Sequence, residues 1–89
     1  MREPVLGLPC REAVDLLVEE VGHLRNDDEI AMFAVAVLEE FVDRRGVEAR
    51  DQIARGLRRS PKFRQAYRGS IVSVPEAVED EFRSLASRP

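Results

Sequence analysis

At 89 residues the chain is long enough for one domain with a modest core and too short for several. Its single cysteine excludes an intrachain disulfide or a cysteine-based metal cluster, which favours a reducing compartment such as the cytoplasm. The net charge of −3 hides a sorted distribution, because residues 44–69 carry 9 basic and 2 acidic side chains whereas residues 1–43 carry 3 and 11. Such a basic segment typically meets nucleic acid, an acidic protein or the chain's own acidic helices.

A short arm over residues 1–9 precedes the first predicted helix. Pro9 suits a helix entry, and residues 10–25 then carry apolar side chains at helical spacing. These side chains form one stripe, which predicts an amphipathic helix with a buried face: Val14, Leu17, Val21 and Leu24.

The second predicted helix, over residues 28–45, follows the stretch Asn26-Asp27-Asp28-Glu29, in which an asparagine or an aspartate caps the helix. Residues 30–38 are apolar all round, so we expect neighbouring helices to cover most of this segment at the centre of the fold. A homodimer or partner interface is the alternative, with Met32 and Phe33 as anchors. The apolar run is nine residues long, well short of the roughly 20 that a membrane span needs, so no membrane association is expected.

Three further helices are predicted over residues 47–59, 61–68 and 75–87. The dipeptide Ser60-Pro61 is typical of an N-cap followed by proline at the first helical position. Ser73 and Glu76 have the spacing of a capping box before the last helix. The sequence therefore predicts a single all-α domain over residues 1–89, a small bundle of four to five short helices with an apolar central second helix.

The basic segment is the strongest candidate for a contact surface. Residues 52–69 resemble the helix-turn-helix of bacterial regulators, although Arg58-Arg59 stands where the turn usually holds glycine and the second helix is one residue short. Helical spacing turns Phe63, Ala66 and Tyr67 inward and leaves the polar residues of this helix outward. The predicted contact residues are Arg55, Arg58, Arg59, Lys62, Arg64, Gln65 and Arg68.

No residue pattern predicts catalysis, a cofactor or a metal site. His23 is the only histidine, Cys10 is best interpreted as a half-buried structural residue, and residues 27–29 cap a helix rather than follow a calcium-loop spacing.

The favoured function is a small non-catalytic interaction or regulatory protein, of the adaptor type, whose basic segment 44–69 contacts an acidic partner. The alternative is a nucleic-acid-binding regulator that uses residues 52–69 in the helix-turn-helix manner.

Overall fold

The computed structural model describes residues 8–88, and the described chain is all-α, which confirms the predicted small helical bundle. The first two helices are α1, Cys10–Gly22, and α2, in which the α-helical segments Asp27–Phe33 and Glu39–Arg45 flank a π-helical turn at Ala34–Leu38. The remaining helices are α3 (Arg50–Arg59), α4 (Pro61–Arg68) and α5 (Glu76–Ala86).

Side-chain caps start two of the helices, α2 and α4. The Asn26 side chain accepts a hydrogen bond of 2.9 Å from the Glu29 backbone N–H and so starts α2. In the same way the Ser60 hydroxyl accepts from the Phe63 N–H at 3.1 Å and starts α4. The first helix stops at Gly22, three residues earlier than expected, because the next turn tightens and the His23 N–H bonds to the Glu20 carbonyl.

The connector between α4 and α5, residues 70–74, runs beside α2. The Ile71 N–H donates to the Glu39 carboxylate at 2.8 Å, and the Ser73 N–H donates to the Asp43 carboxylate. The predicted capping box is therefore wrong: Pro75 occupies the N-cap of α5, and Ser73 lies upstream of it, bonded to α2 instead.

A single core unites the five helices, and α4 packs against each of the other four. The fully buried aromatic residues of this core are Phe41, Phe63 and Phe82. The second helix is covered on its inner side alone, because Met32 and Val35 on its outer side are 71% and 62% exposed. The expectation that neighbours cover most of this apolar helix therefore holds for one face only.

Two glycines allow close approaches in the bundle. A Cβ at Gly46 would lie 2.4 Å from the Val42 carbonyl oxygen and 2.9 Å from a Val74 methyl group. A Cβ at Gly56 would lie 3.1 Å from Val18 on α1, so this glycine lets α3 lie close against α1. Within residues 8–88, none of the helices combines the length and the apolar character that crossing a membrane requires.

Candidate functional site

The cationic side chains of α4 each reach the C-terminal end of a different helix. Lys62 donates to the Leu24 carbonyl at 2.7 Å and to the Gly22 carbonyl at 3.2 Å, both at the end of α1. Arg68 donates to the Ala86 carbonyl at the end of α5. The last carbonyls of a helix lack intrahelical donors and carry partial negative charge. A cationic side chain there supplies the missing donors and compensates the charge.

Arg64 serves the end of α3 in the same way, but from inside the protein. Its side chain is buried, at 7% exposure, and its guanidinium donates to the Leu57 carbonyl at 2.8 Å and to the Arg58 carbonyl at 3.2 Å. The prediction that Arg64 points outward is therefore wrong. The physical reason is that the fold supplies carbonyl acceptors at the end of α3 that offset the cost of burying the charge.

Gln65 is also engaged within the bundle. Its side-chain amide donates to the Asp27 carboxylate at 2.9 Å and so links α4 to the start of α2. All four polar side chains predicted for a contact surface on α4 therefore hold helices together. A recognition helix of the helix-turn-helix type needs side chains that are available to base edges.

The connection between α3 and α4 differs from that of a helix-turn-helix as well. Ser60 alone separates Arg59, the last residue of α3, from Pro61, the first residue of α4. The turn of the helix-turn-helix motif usually takes three to four residues. The tight junction and the contacts of α4 with every other helix place α4 where it holds the other four helices together.

The arginines of α3 behave differently from those of α4. Arg55, Arg58 and Arg59 are exposed, and none of their side chains makes a hydrogen bond or ion pair within residues 8–88. Their spacing of three and four places them on neighbouring positions of one helical face. The structure therefore brings together three of the seven predicted contact residues as one available surface, which we call the arginine face.

A shallow groove between α1 and α3 extends the arginine face. Arg11 and Asp15 of α1 line this groove together with Arg55 and Arg59. Sequence reasoning missed Arg11, since its place beside α3 depends on how closely the two helices pack. The glycine at position 56 is the one sequence signal for that close approach, and it is ambiguous, because glycine also weakens helices.

The other basic residues of the segment 44–69 are engaged. Arg50 pairs with Glu81 at 2.6 Å, and Arg44 pairs with Glu40 at 3.4 Å. Arg45 pairs with Glu48 at 3.3 Å, and this contact lowers the pKa of the Glu48 carboxyl below its usual value. Internal contacts therefore account for six of the nine basic side chains, and the remaining three form the arginine face.

The predicted apolar anchors Met32 and Phe33 differ in burial. Phe33 lies in the core at 8% exposure, so its assignment to an interface is wrong, whereas Met32 is 71% exposed. Adjacent residues of a helix point about 100° apart, and the inner face of α2 takes Phe33.

The remaining candidates for chemistry are held in structural contacts or lie on the surface. The Cys10 thiol accepts a hydrogen bond from Arg45 at 3.2 Å, and His23 is exposed beyond the end of α1. Throughout residues 8–88, no group of three or more His, Cys, Asp or Glu side chains is placed to hold a metal ion.

Comparisons of the chain with protein-family models, curated proteins and solved structures found no match.

Proposed function

We propose that the chain is a small, non-catalytic interaction protein of the cytoplasm that binds an acidic surface of a partner protein through Arg55, Arg58 and Arg59. One observation carries this proposal: these three exposed side chains have no partner within residues 8–88, whereas the other basic residues of the segment are engaged. Arginine presents a planar fork of donors that matches the two oxygens of a carboxylate, so such a face suits aspartate and glutamate side chains.

Two features favour an acidic protein over nucleic acid as the partner. The arginine face holds three available cations with Arg11 beside it, whereas a duplex binder can make about six to ten phosphate contacts. In addition, the helix that would read base edges is engaged inside the bundle, through Lys62, Arg64, Gln65 and Arg68.

Fluorescence anisotropy with two probes tests this proposal: a labelled oligoglutamate peptide and a labelled random-sequence DNA duplex. The test variant is Arg55→Ala/Arg58→Ala/Arg59→Ala. The matched control, Arg44→Ala/Arg83→Ala/Arg88→Ala, removes the same charge from exposed positions elsewhere. We expect the test variant to weaken peptide binding by about tenfold and the control to change it by less than about threefold, since long-range charge alone is screened by salt.

The substituted side chains make no hydrogen bond or ion pair within residues 8–88, so thermal unfolding of the test variant should match that of the wild type. Equal weakening by both variants, or unfolding of the test variant, would overturn the proposal. Binding of the duplex but not of the peptide, with a steep dependence on salt, would instead establish the nucleic-acid alternative.

A further inference from the structure

A second surface of the molecule, on the outer side of α2, is apolar and has no cover within residues 8–88. Met32 and Val35 are 71% and 62% exposed and lie three residues apart on the outer side of the helix. Ile71 is 83% exposed and lies on the connector beside α2, where its backbone N–H donates to the carboxylate of Glu39, one turn beyond Val35. We call these three residues the apolar strip. Ala31 and Ala36 beside it are also exposed, and their small side chains permit a close approach.

The apolar strip lies between acidic side chains. Asp28 comes one turn before Met32, and Glu39, Glu40 and Asp43 come after Val35 on the same helix. Within residues 8–88, Glu40 is the one of these four that pairs with a cation, Arg44. Glu39 and Asp43 accept backbone N–H groups of the connector, which hold the carboxylates in place without neutralising their charge.

From this arrangement we infer that the outer face of α2 binds an amphipathic helix with basic flanks, presented by a partner protein. Apolar side chains spaced three or four apart on such a helix would pack on Met32, Val35 and Ile71. Lysine or arginine on either side of them would meet the carboxylates of Asp28 and Asp43.

Charge selects this occupant over a second copy of the chain. A symmetric dimer through the apolar strip would set the carboxylates that flank the strip, such as Asp28 and Glu39, against those of the other copy, because the same patch is used on both sides. Like charges opposed at an interface cost several kcal/mol. A basic helix turns the same charges into attraction.

This inference does not depend on the arginine face, since different helices carry the two surfaces. If both proposals hold, the chain binds an acidic partner through α3 and a basic partner through α2, and so acts as an adaptor between them.

The experiment uses a labelled amphipathic helical peptide built of leucine and lysine, and a scrambled peptide of the same composition. Binding is measured by anisotropy against the full chain. The test variant is Met32→Ser/Val35→Ser, and the control is Val47→Ser, because Val47 is 59% exposed and lies outside the apolar strip. We expect the test variant to weaken binding of the amphipathic peptide by about tenfold, the control to leave it unchanged, and the scrambled peptide to bind more weakly than the amphipathic one.

A second variant, Asp28→Asn/Asp43→Asn, tests the acidic flanks while keeping side chains that can accept hydrogen bonds. We expect it to weaken binding several-fold at low salt and less at high salt. The arginine-face variant should leave this peptide binding intact, so a failure of one proposal is distinguishable from a failure of the other.

The inference is overturned if the amphipathic peptide does not bind, if Val47→Ser weakens it as much, or if the scrambled peptide binds equally well. Sedimentation velocity decides the remaining alternative. A dimer of the wild-type chain that Met32→Ser/Val35→Ser abolishes would assign the apolar strip to a second copy and also overturn the inference.

Discussion

The Arg64 guanidinium donates a buried hydrogen bond of 2.8 Å to the backbone carbonyl of Leu57, seven residues earlier in the chain. It donates a second bond of 3.2 Å to the carbonyl of Arg58. These carbonyls belong to the last turn of α3, where intrahelical donors run out. One side chain of α4 therefore caps the helix that precedes it and fixes the angle between the two helices.

Replacing Arg64 with alanine should lower the free energy of unfolding by about 2 to 4 kcal/mol. The substitution leaves buried carbonyls without a donor and removes a side chain that fills space beneath the α3–α4 junction. The measurement is chemical denaturation followed by circular dichroism, with Arg58→Ala as the exposed arginine control, which should change stability by no more than about 0.5 kcal/mol. Equal stability of the two variants would show that the buried guanidinium does not stabilise the junction.

The N-cap at the same junction gives a smaller and separable effect. The Ser60 hydroxyl accepts from the Phe63 N–H at 3.1 Å, so Ser60→Ala should cost about 1 kcal/mol of stability. Ser60→Asp keeps an acceptor at the N-cap and should retain most of the wild-type stability in the same denaturation experiment. If the aspartate variant is as unstable as the alanine variant, the loss comes from packing around Ser60 and not from the cap.

Gly46 is required because neighbouring atoms leave no room for a side chain. An added Cβ would lie 2.4 Å from the Val42 carbonyl oxygen, which is backbone, and 2.9 Å from Val74. We expect Gly46→Ala to destabilise the protein by about 1 to 3 kcal/mol, since overpacking forces backbone to shift.

The control for this substitution is Gly22, at the end of α1, where an added Cβ meets nothing within 4 Å. Gly22→Ala should be neutral or stabilising by up to about 1 kcal/mol, because alanine is the better helix former. A thermal melt of both variants decides the matter, and equal shifts in Tm would refute the steric account of Gly46.

Local sequence signals were sufficient for the fold class and for several helix starts. A cap at the start of α2 and the Ser60-Pro61 junction act over three or four residues, so the sequence predicts both, and the structure identifies Asn26 as the capping residue. The apolar stripe of α1 could also be predicted from the sequence, and Val14, Leu17 and Val21 are buried as its spacing indicates.

The contacts of the charged side chains could not be predicted from the sequence in the same way. Helical spacing indicates where a Cβ points, but lysine and arginine are long enough to bend back to carbonyls that only the tertiary fold brings near. Lys62 reaches residues about forty positions away, and Arg64 reaches inward from a position that periodicity assigns to solvent. Arg11 lies beside the arginine face because α1 packs on α3, and this contact also depends on the tertiary fold.

Tyr67 gives a test that depends on pH. Its hydroxyl is buried without a hydrogen-bond partner within residues 8–88, and its ring packs edge-on against Phe82 at 5.8 Å between centroids. Burial raises the pKa of Tyr67 from 10.0 to about 12, because the charged phenolate is disfavoured away from water. In the unfolded chain the phenol ionises near its ordinary value.

A raised pKa in the folded state means that the contribution of Tyr67 to stability is complete below pH 10 and is lost as the pH rises towards about 12. The loss over that interval amounts to at most about 2 to 3 kcal/mol. Tyr67→Phe removes the titrating group and keeps the ring, so its free energy of unfolding should fall less steeply above pH 10 than that of the wild type.

At neutral pH the phenylalanine variant should be as stable as the wild type or slightly more so, since it removes a buried hydroxyl that lacks a partner. The measurement is denaturant unfolding at a series of pH values, and tyrosinate absorbance reports on Tyr67 alone because it is the only tyrosine of the chain. Parallel stability curves for the two proteins above pH 10, or ionisation of the folded tyrosine near its ordinary pKa, would show that the hydroxyl reaches water or a polar partner in solution. The edge-on contact with Phe82 would then account for the burial of the ring, while the hydroxyl itself would lie at the surface of the core.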